Sequence, residues 1–282
     1  MMRVEPIAVP SFRATIEAFD RLEKTSDYLV GWHDAFGSGE ALGRGLIHRA
    51  TQLSPGEDPD PRAALSVARQ SLPGTFFGVL PKSILWLGLW FFLNDPGMRL
   101  VNLLKLIGGR SHAKKPPYLQ AHAAFHFLLD YVPNWKFAYK PGGLFQYQVF
   151  VPRDHAARVF AKLVTIARDH DHPPYLLVTK RHHPDPFWLT HAVDGFSMAM
   201  DFKITRRNRA RFEAMAHAMD EIVMDAGGRF YCAKDSVMRP EVFRRVYPAE
   251  NVRRFLALKA RLDPAGLFST SLFRRVTGTP AV

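Results

Sequence analysis

The chain has 282 residues, 47% of them hydrophobic and 23% charged, a globular composition that excludes disordered, collagen-like and low-complexity classes. With 38 Lys and Arg against 26 Asp and Glu, the net charge is +12, which favours anionic partners such as phosphate groups, acidic lipid surfaces or nucleic acid. A single cysteine, Cys232, excludes an intramolecular disulfide and any site built on several thiolates. The first residues, MMRVEPIAVPSF, have neither the apolar core nor the cleavage site of a secretory signal, so a cytoplasmic location is expected.

In chain order, residues 11–22 read as a helix with Phe12, Ile16 and Phe19 on one side, and 28–32 and 46–50 as strands added to the sheet below. Gly37, Gly39, Gly43 and Gly45 lack the strand-turn-helix setting of a dinucleotide loop and read as a glycine-rich connection between strands. Residues 54–61 and 111–117 are loops by composition and bracket the most apolar stretch, 76–93, FFGVLPKSILWLGLWFFL. Its unbroken apolar run, 84–93, falls short of the about 20 residues a spanning helix requires. Beyond the turn Asn94-Asp95-Pro96-Gly97, Leu100, Leu103, Leu104 and Ile107 recur at helical spacing, so a helical hairpin with a wide apolar face is expected. It serves either as a core or subunit contact or as an interfacial element. In the second case Trp86, Trp90, Phe91 and Phe92, flanked by Lys82, Arg99 and Lys105, dip into anionic headgroups.

From residue 145 the hydrophobic period alternates regularly. Phe145, Tyr147, Val149 and Val151 take one face of a strand, and Gln146 and Gln148 share the other. Ala156, Val159, Phe160, Leu163, Val164 and Ala167 then form the stripe of an amphipathic helix. Residues 175–180 read as a second strand. In a third, Phe196, Met198, Met200 and Phe202 alternate with Ser197, Ala199, Asp201 and Lys203. A helix over 212–223 stops at Gly227-Gly228, a short strand covers 229–233, and the tail from Pro240 is mostly helical. The order β-α-β-β-α-β is the split βαβ pattern. The expected fold is therefore α+β: an antiparallel, ferredoxin-like sheet covered by helices on one face, with an inserted apolar helical hairpin. The expected divisions are an N-terminal part of the sheet (1–72), the insertion (73–117), and the core with its helical tail (118–282).

Candidate chemistry is sparse. His122 and His126 stand at i, i+4, but the Glu of a HExxH zinc site is absent, and no metal site is expected. Asp169-His170-Asp171-His172 and His182-His183 fall in Pro-rich, loop-like segments. Arg206, Arg207, Arg209 and Arg211 cluster at a helix start, yet no aromatic-interleaved basic stripe for nucleic acid can be assembled around them. GRFYCAKDS, 228–236, delivers Lys234 at the end of a strand, either to hold an anionic group or to pair with Asp235 on the surface. Gln146, Gln148, Lys180 and Lys234 on one sheet would make a polar cavity lining over an apolar floor.

Four segments together, YLVGWHDAFGSGEALGRGLIHRA, GGLFQYQVFVP, GGRFYCAKDS and LDPAGLFSTSLFRRV, resemble the substrate-domain half of FAD-linked oxidases of the vanillyl-alcohol oxidase type. The decaprenylphosphoryl-β-D-ribose oxidase group is the nearest of these. The resemblance runs over nearly the whole chain and is weakest over 73–117. It implies an FAD cofactor held mainly by an N-terminal flavin-binding domain or subunit without counterpart here, so this chain alone is expected to bind FAD weakly or not at all. It implies that Lys234, with Tyr231 beside it, lies near the flavin, and that Gln146, Gln148 and Lys180 line the substrate pocket. His126 stands where the nearest relatives carry a tyrosine. Ala199 stands where they carry a cysteine attacked by covalent inhibitors.

The resulting expectation is the substrate-binding part of an FAD-dependent oxidoreductase. It would oxidise an alcohol of a sugar or a lipid-linked sugar, with Lys234 as the catalytic cation and a peripheral membrane contact for a polyprenyl-phosphate substrate. The rivals are a non-catalytic partner subunit and an anionic-lipid or nucleic-acid binding protein on the same fold.

Overall fold

A computed structural model describes residues 1–70, 74–76, 80–127 and 132–278, without the side chains of Arg69 and Phe76. Residues 77–79 of the apolar stretch lie outside the described residues. The chain divides into two compact units, the first comprising 1–144 with 175–178 and 203–205, the second 145–174, 179–202 and 206–282.

The first unit contains β1 (Met2–Val9), α1 (Phe12–Leu22), β2 (Tyr28–His33), β3 (Gly45–Gln52), α2 (Pro61–Ala64) and α3 (Val67–Gln70). A two-residue pair follows, β4 (Thr75–Phe76) and β5 (Leu80–Pro81), then α4 (Leu85–Phe92), α5 (Asp95–His112), β6 (Tyr118–Gln120) and α6 (His122–His126). Its strands lie in the order β2-β3-β1-β6, with Val4 opposite both Ala50 and Tyr118 in antiparallel register. The opening residues, to which no element was assigned from sequence, are thus an interior strand. Ser11 caps α1 by accepting from the Ala14 amide at 3.2 Å. Phe12, Thr15, Ala18 and Phe19 are its buried side, while Ile16 is only half-buried.

The helical hairpin is present, and its wide apolar face is not part of the core of this chain. In α5 the buried positions are Met98, Asn102 and Leu106, and the predicted stripe of Leu100, Leu103, Leu104 and Ile107 faces solvent, Leu104 at 60% exposure. Both stripes have helical spacing, so periodicity alone could not choose between them. Lys82, expected as a flanking surface cation, is buried. Trp90 remains exposed and its indole N–H donates to the Lys140 carbonyl at 2.7 Å, while Phe91 is 70% exposed. Among the described residues, no helix is long and apolar enough to cross a membrane.

The second unit contains most of β7 (Gly143–Pro152), α7 (Arg153–Asp169), the last four residues of β8 (Leu176–His182), most of β9 (Gly195–Ile204), α8 (Arg209–Asp225) and β10 (Arg229–Phe230). The tail is α9 (Pro240–Val246), α10 (Ala249–Leu262) and α11 (Ser271–Thr277). The strand order is β10-β7-β9-β8, and β10 runs antiparallel to β7. This is the order a split βαβ unit produces: the second strand of the pair lies one place away from the first, leaving room for β9 between them.

Period two divides the sheet sharply. Phe145, Tyr147 and Val149 of β7, and Phe196, Met198, Met200 and Phe202 of β9, are buried on the helix side. Phe212 of α8 packs on Phe145 and Phe202 with ring centroids 4.7 and 5.3 Å away. In α7 the buried stripe is the six residues expected. In α8 Ile222 is half-exposed and Asp220 is buried instead, accepting from the Tyr147 hydroxyl at 2.7 Å. His172, read from sequence as a loop residue, is buried against Phe202 and Phe212.

Candidate functional site

The side of β7, β8 and β9 opposite those helices carries the polar groups. Gln146 and Gln148 alternate with the core residues of β7 and are half-buried. Asp201, on the matching side of β9, is 3% exposed and accepts a hydrogen bond from the Gln146 amide. Burial raises the Asp201 carboxyl to about 6, against the opposing effects of Gln146's donation and of the Lys234 charge. Lys234 Nζ donates to Gln148 Oε1 at 2.9 Å and lies 5.3 Å from the centre of the Tyr231 ring. Desolvation lowers its pKa, Lys180 adds to that, and Asp201 opposes it.

These bonds set the polarity of the open surface. Gln146 uses its amide N–H on Asp201, which leaves its carbonyl as an acceptor. Gln148 uses its carbonyl on Lys234, which leaves its amide as a donor. The two glutamines therefore present opposite hydrogen-bonding character, and a hydroxylated ligand can satisfy both.

Beside this polar part lies an aromatic one. Phe150, next on the same side of β7, is covered by His182, His191 and Tyr231, with ring centroids at 4.7, 4.4 and 6.2 Å. His182 Nε2 is 2.8 Å from Ser197 Oγ. Desolvation first, then the neighbouring charges of His191, Lys180 and Arg181, lower His182 to about 4, so its ring is neutral at pH 7.

Several expectations change. β10 ends at Phe230, and Lys234 sits in the turn after it, its amide donating to the Tyr231 carbonyl at 3.0 Å. Asp235 is not its partner: that carboxylate accepts from the Val237 and Met238 amides and pairs with Arg275 at 3.5 Å. The turn thus anchors itself through Asp235 and leaves the lysine free to reach Gln148. His182 is the last residue of β8, not a loop residue. Of the arginine cluster, Arg209 and Arg211 form exposed pairs with Glu213 and Asp171 at 3.5 and 3.6 Å, which accounts for them as a solvated helix start.

The structure brings Gln146, Gln148 and Lys234 together directly, with Tyr231 under the lysine and Lys180 near enough to act on its charge. His126 belongs to the first unit, where its ring stands 4.3 Å from His122 and 4.4 Å from Tyr28. Among the described residues no group of three potential metal ligands forms a site. Asp201, His182, His191 and Ser197 were missed. The alternation of β9 had already put Ser197 and Asp201 on the side of Ala199, and that signal identifies them.

A flavin, which the resemblance implies, suits this donor set. Lys234 is a partly desolvated cation held by a neutral amide, and Gln148 offers a free N–H; both match a polar heteroaromatic edge that gains negative charge.

Residues 145–276 match the family model described as D-arabinono-1,4-lactone oxidase. The chain is 26% identical over 266 residues to decaprenylphosphoryl-β-D-ribose oxidase of Mycolicibacterium smegmatis, a match covering 91% of this chain and 52% of that protein. An uncharacterized protein encoded in the mprA 5′ region of Streptomyces coelicolor is 32% identical over 91 residues, covering 32% of this chain and 23% of its own length. The chain thus spans about half the length of the first relative and less of the second. All the polar-face residues lie within the segment that matches the D-arabinono-1,4-lactone oxidase model, and the chain is similar along most of its own length to decaprenylphosphoryl-β-D-ribose oxidase.

Proposed function

We propose that this chain is the substrate-binding part of an FAD-dependent oxidoreductase that oxidises an alcohol carbon of a sugar or a polyprenyl-phosphate-linked sugar. The flavin would be held mainly by a flavin-binding domain or subunit. The observation that carries the proposal is the pairing Gln146–Asp201 and Gln148–Lys234 on one open sheet face inside a segment matching a sugar-lactone oxidase family.

When bound, the flavin supplies the two-electron acceptor for hydride from the carbinol carbon. Lys234 and Tyr231 hold its edge, and the ammonium offsets negative charge there. The Gln146 carbonyl and Gln148 amide, each fixed by its partner, orient substrate hydroxyls in one register. Lys180, exposed on β8, takes an anionic substituent of the substrate. Asp201 acts as a positioning residue that locks the Gln146 amide. The exposed apolar residues of α4 and α5 support a peripheral encounter with a lipid-linked substrate.

The test is flavin reduction, followed by loss of the visible flavin band, in this protein together with its flavin-binding domain or subunit. Reduction by a polyprenyl-phosphate pentose or a free aldose is expected, slowed about a hundredfold or more in Lys234→Ala. An unchanged rate in that variant, or no reduction by either sugar class, overturns the proposal.

A further inference from the structure

The first unit contains a cavity of about 420 Å³, within the size range of small-ligand sites. It lies between strands β1 and β3 and helix α5, none of whose residues take part in the polar face described above. Pro6 and His48, opposite each other in the β1–β3 register, both line it. From α5 come Lys105 and His112, and Lys115 follows the helix. Helix α5 rides close to the sheet because Gly109 has no side chain: a Cβ there would stand 2.0 Å from Leu46 Cδ1.

The chemistry of the lining is one-sided. Two ammonium groups and two imidazoles converge, and none of the lining residues is acidic among those described. Lys105 is open to solvent through the cavity, and its Nζ sits 4.6 Å from the centre of the Trp32 ring, a neutral π partner. The surrounding protein nevertheless desolvates it enough to lower its pKa to about 8. Burial and the Lys105 charge together bring His48 down to about 4, so it is neutral at pH 7 and free to donate one N–H. His112 Nδ1 donates to the Gly108 carbonyl at 2.9 Å, which fixes its ring. Leu46 and Tyr118 supply an apolar wall.

Gathering cations around a cavity without a counter-charge costs stability, and an anion relieves that cost. We infer that this cavity is an oxyanion-binding site, taking a phosphate or carboxylate group on Lys105 and Lys115 with His48 as a neutral donor, the attached carbon skeleton resting on Leu46 and Tyr118. Its ligand is an anionic metabolite or the head of an anionic amphiphile, the two sharing the same headgroup chemistry.

Calorimetric titration of the full chain with inorganic phosphate, octyl phosphate and octanoate tests this. Saturable binding is expected, weakened about tenfold or more in Lys105→Met and in Lys115→Met, since each removes a charge-assisted hydrogen bond. Both side chains are exposed and each variant relieves like-charge crowding, so neither should lower the wild-type unfolding midpoint. Tighter binding of octyl phosphate than of inorganic phosphate assigns the site to an amphiphile, and equal binding assigns it to the free anion; either result supports the inference. Absence of saturable binding up to millimolar ligand, or undiminished binding in both variants, overturns it. Lys234→Ala serves as the control: it should bind the anions normally, so the oxyanion site and the proposed oxidoreductase role can fail separately.

Discussion

The two sides of the sheet in the second unit are built from the same strands and do opposite work. On the helix side, β7 and β9 present Phe, Tyr, Val, Met and Ile, and nearly every one is fully buried. On the other side the same strands bury Ser197 and Asp201 and half-bury Gln146 and Gln148. The first side gains stability from area removed from water. The second gives some of that up, because each buried polar group needs a partner, and the partners found here, Gln146 for Asp201 and Gln148 for Lys234, leave the outward halves of both amides unused. A sheet that needed only stability would not keep those groups, and the contrast supports the proposal that the open side is the ligand-binding one.

Substitutions should separate the two sides, beginning with the largest effect. Phe160→Ala, in the wholly buried stripe of α7, is expected to cost about 3–5 kcal/mol in denaturant unfolding; a loss under about 1 kcal/mol would mean that the helix side is not the close-packed core described.

Asp201 offers a sharper probe through pH. Its carboxyl is raised from 3.8 to about 6 in the folded protein, so between those values the native state holds more protons than the unfolded one. Its contribution to stability therefore falls as pH rises from about 4 to about 6. Asp201→Asn should remove that fall, on the order of 2–3 kcal/mol across the window, while leaving the similar contribution of Asp220, raised to about 7. Parallel stability-pH curves for variant and wild type would show that Asp201 does not titrate this way.

Tyr147→Phe removes the donor to the buried Asp220 carboxyl and should cost about 1–3 kcal/mol, testing a polar link on the helix side. The smallest effect on stability is expected on the open side. Lys234→Ala, at an exposed residue, should shift the unfolding free energy by no more than about 0.5 kcal/mol, so that any loss of flavin reduction reports the site and not the fold.

Much of the second unit was legible from its residues. Ala156 to Ala167 repeat along α7 at helical spacing with polar residues between, so a single buried face was available and the structure uses it. In β7 the alternation of aromatic and amide side chains permitted one division between faces. Helix α5 was not legible in the same way, because it carries apolar residues on two sides, and the stripe that seemed the more hydrophobic is the exposed one. Lys234 was assigned to the right sheet but the wrong local structure, since Asp235 closes a turn by accepting from amides two and three residues ahead, an interaction that composition does not announce. The cavity of the first unit was not visible at all, because its polar groups come from β3, α5 and the segment after it.

By itself, then, the order of residues determined the alternation of strands and helices after residue 145, the helix-side core and the presence of two amides on one strand face. Those are consequences of local geometry, period two in a strand and 3.6 in a helix, acting on where apolar side chains fall. Only the tertiary structure decided which side of α5 is covered, that Asp201 holds Gln146, that Lys234 reaches Gln148 rather than Asp235, and that Lys105, His48 and Lys115 surround one cavity. Each of these joins residues distant in sequence, and the energy of such a contact depends on desolvation and partner geometry that exist only once the chain has folded.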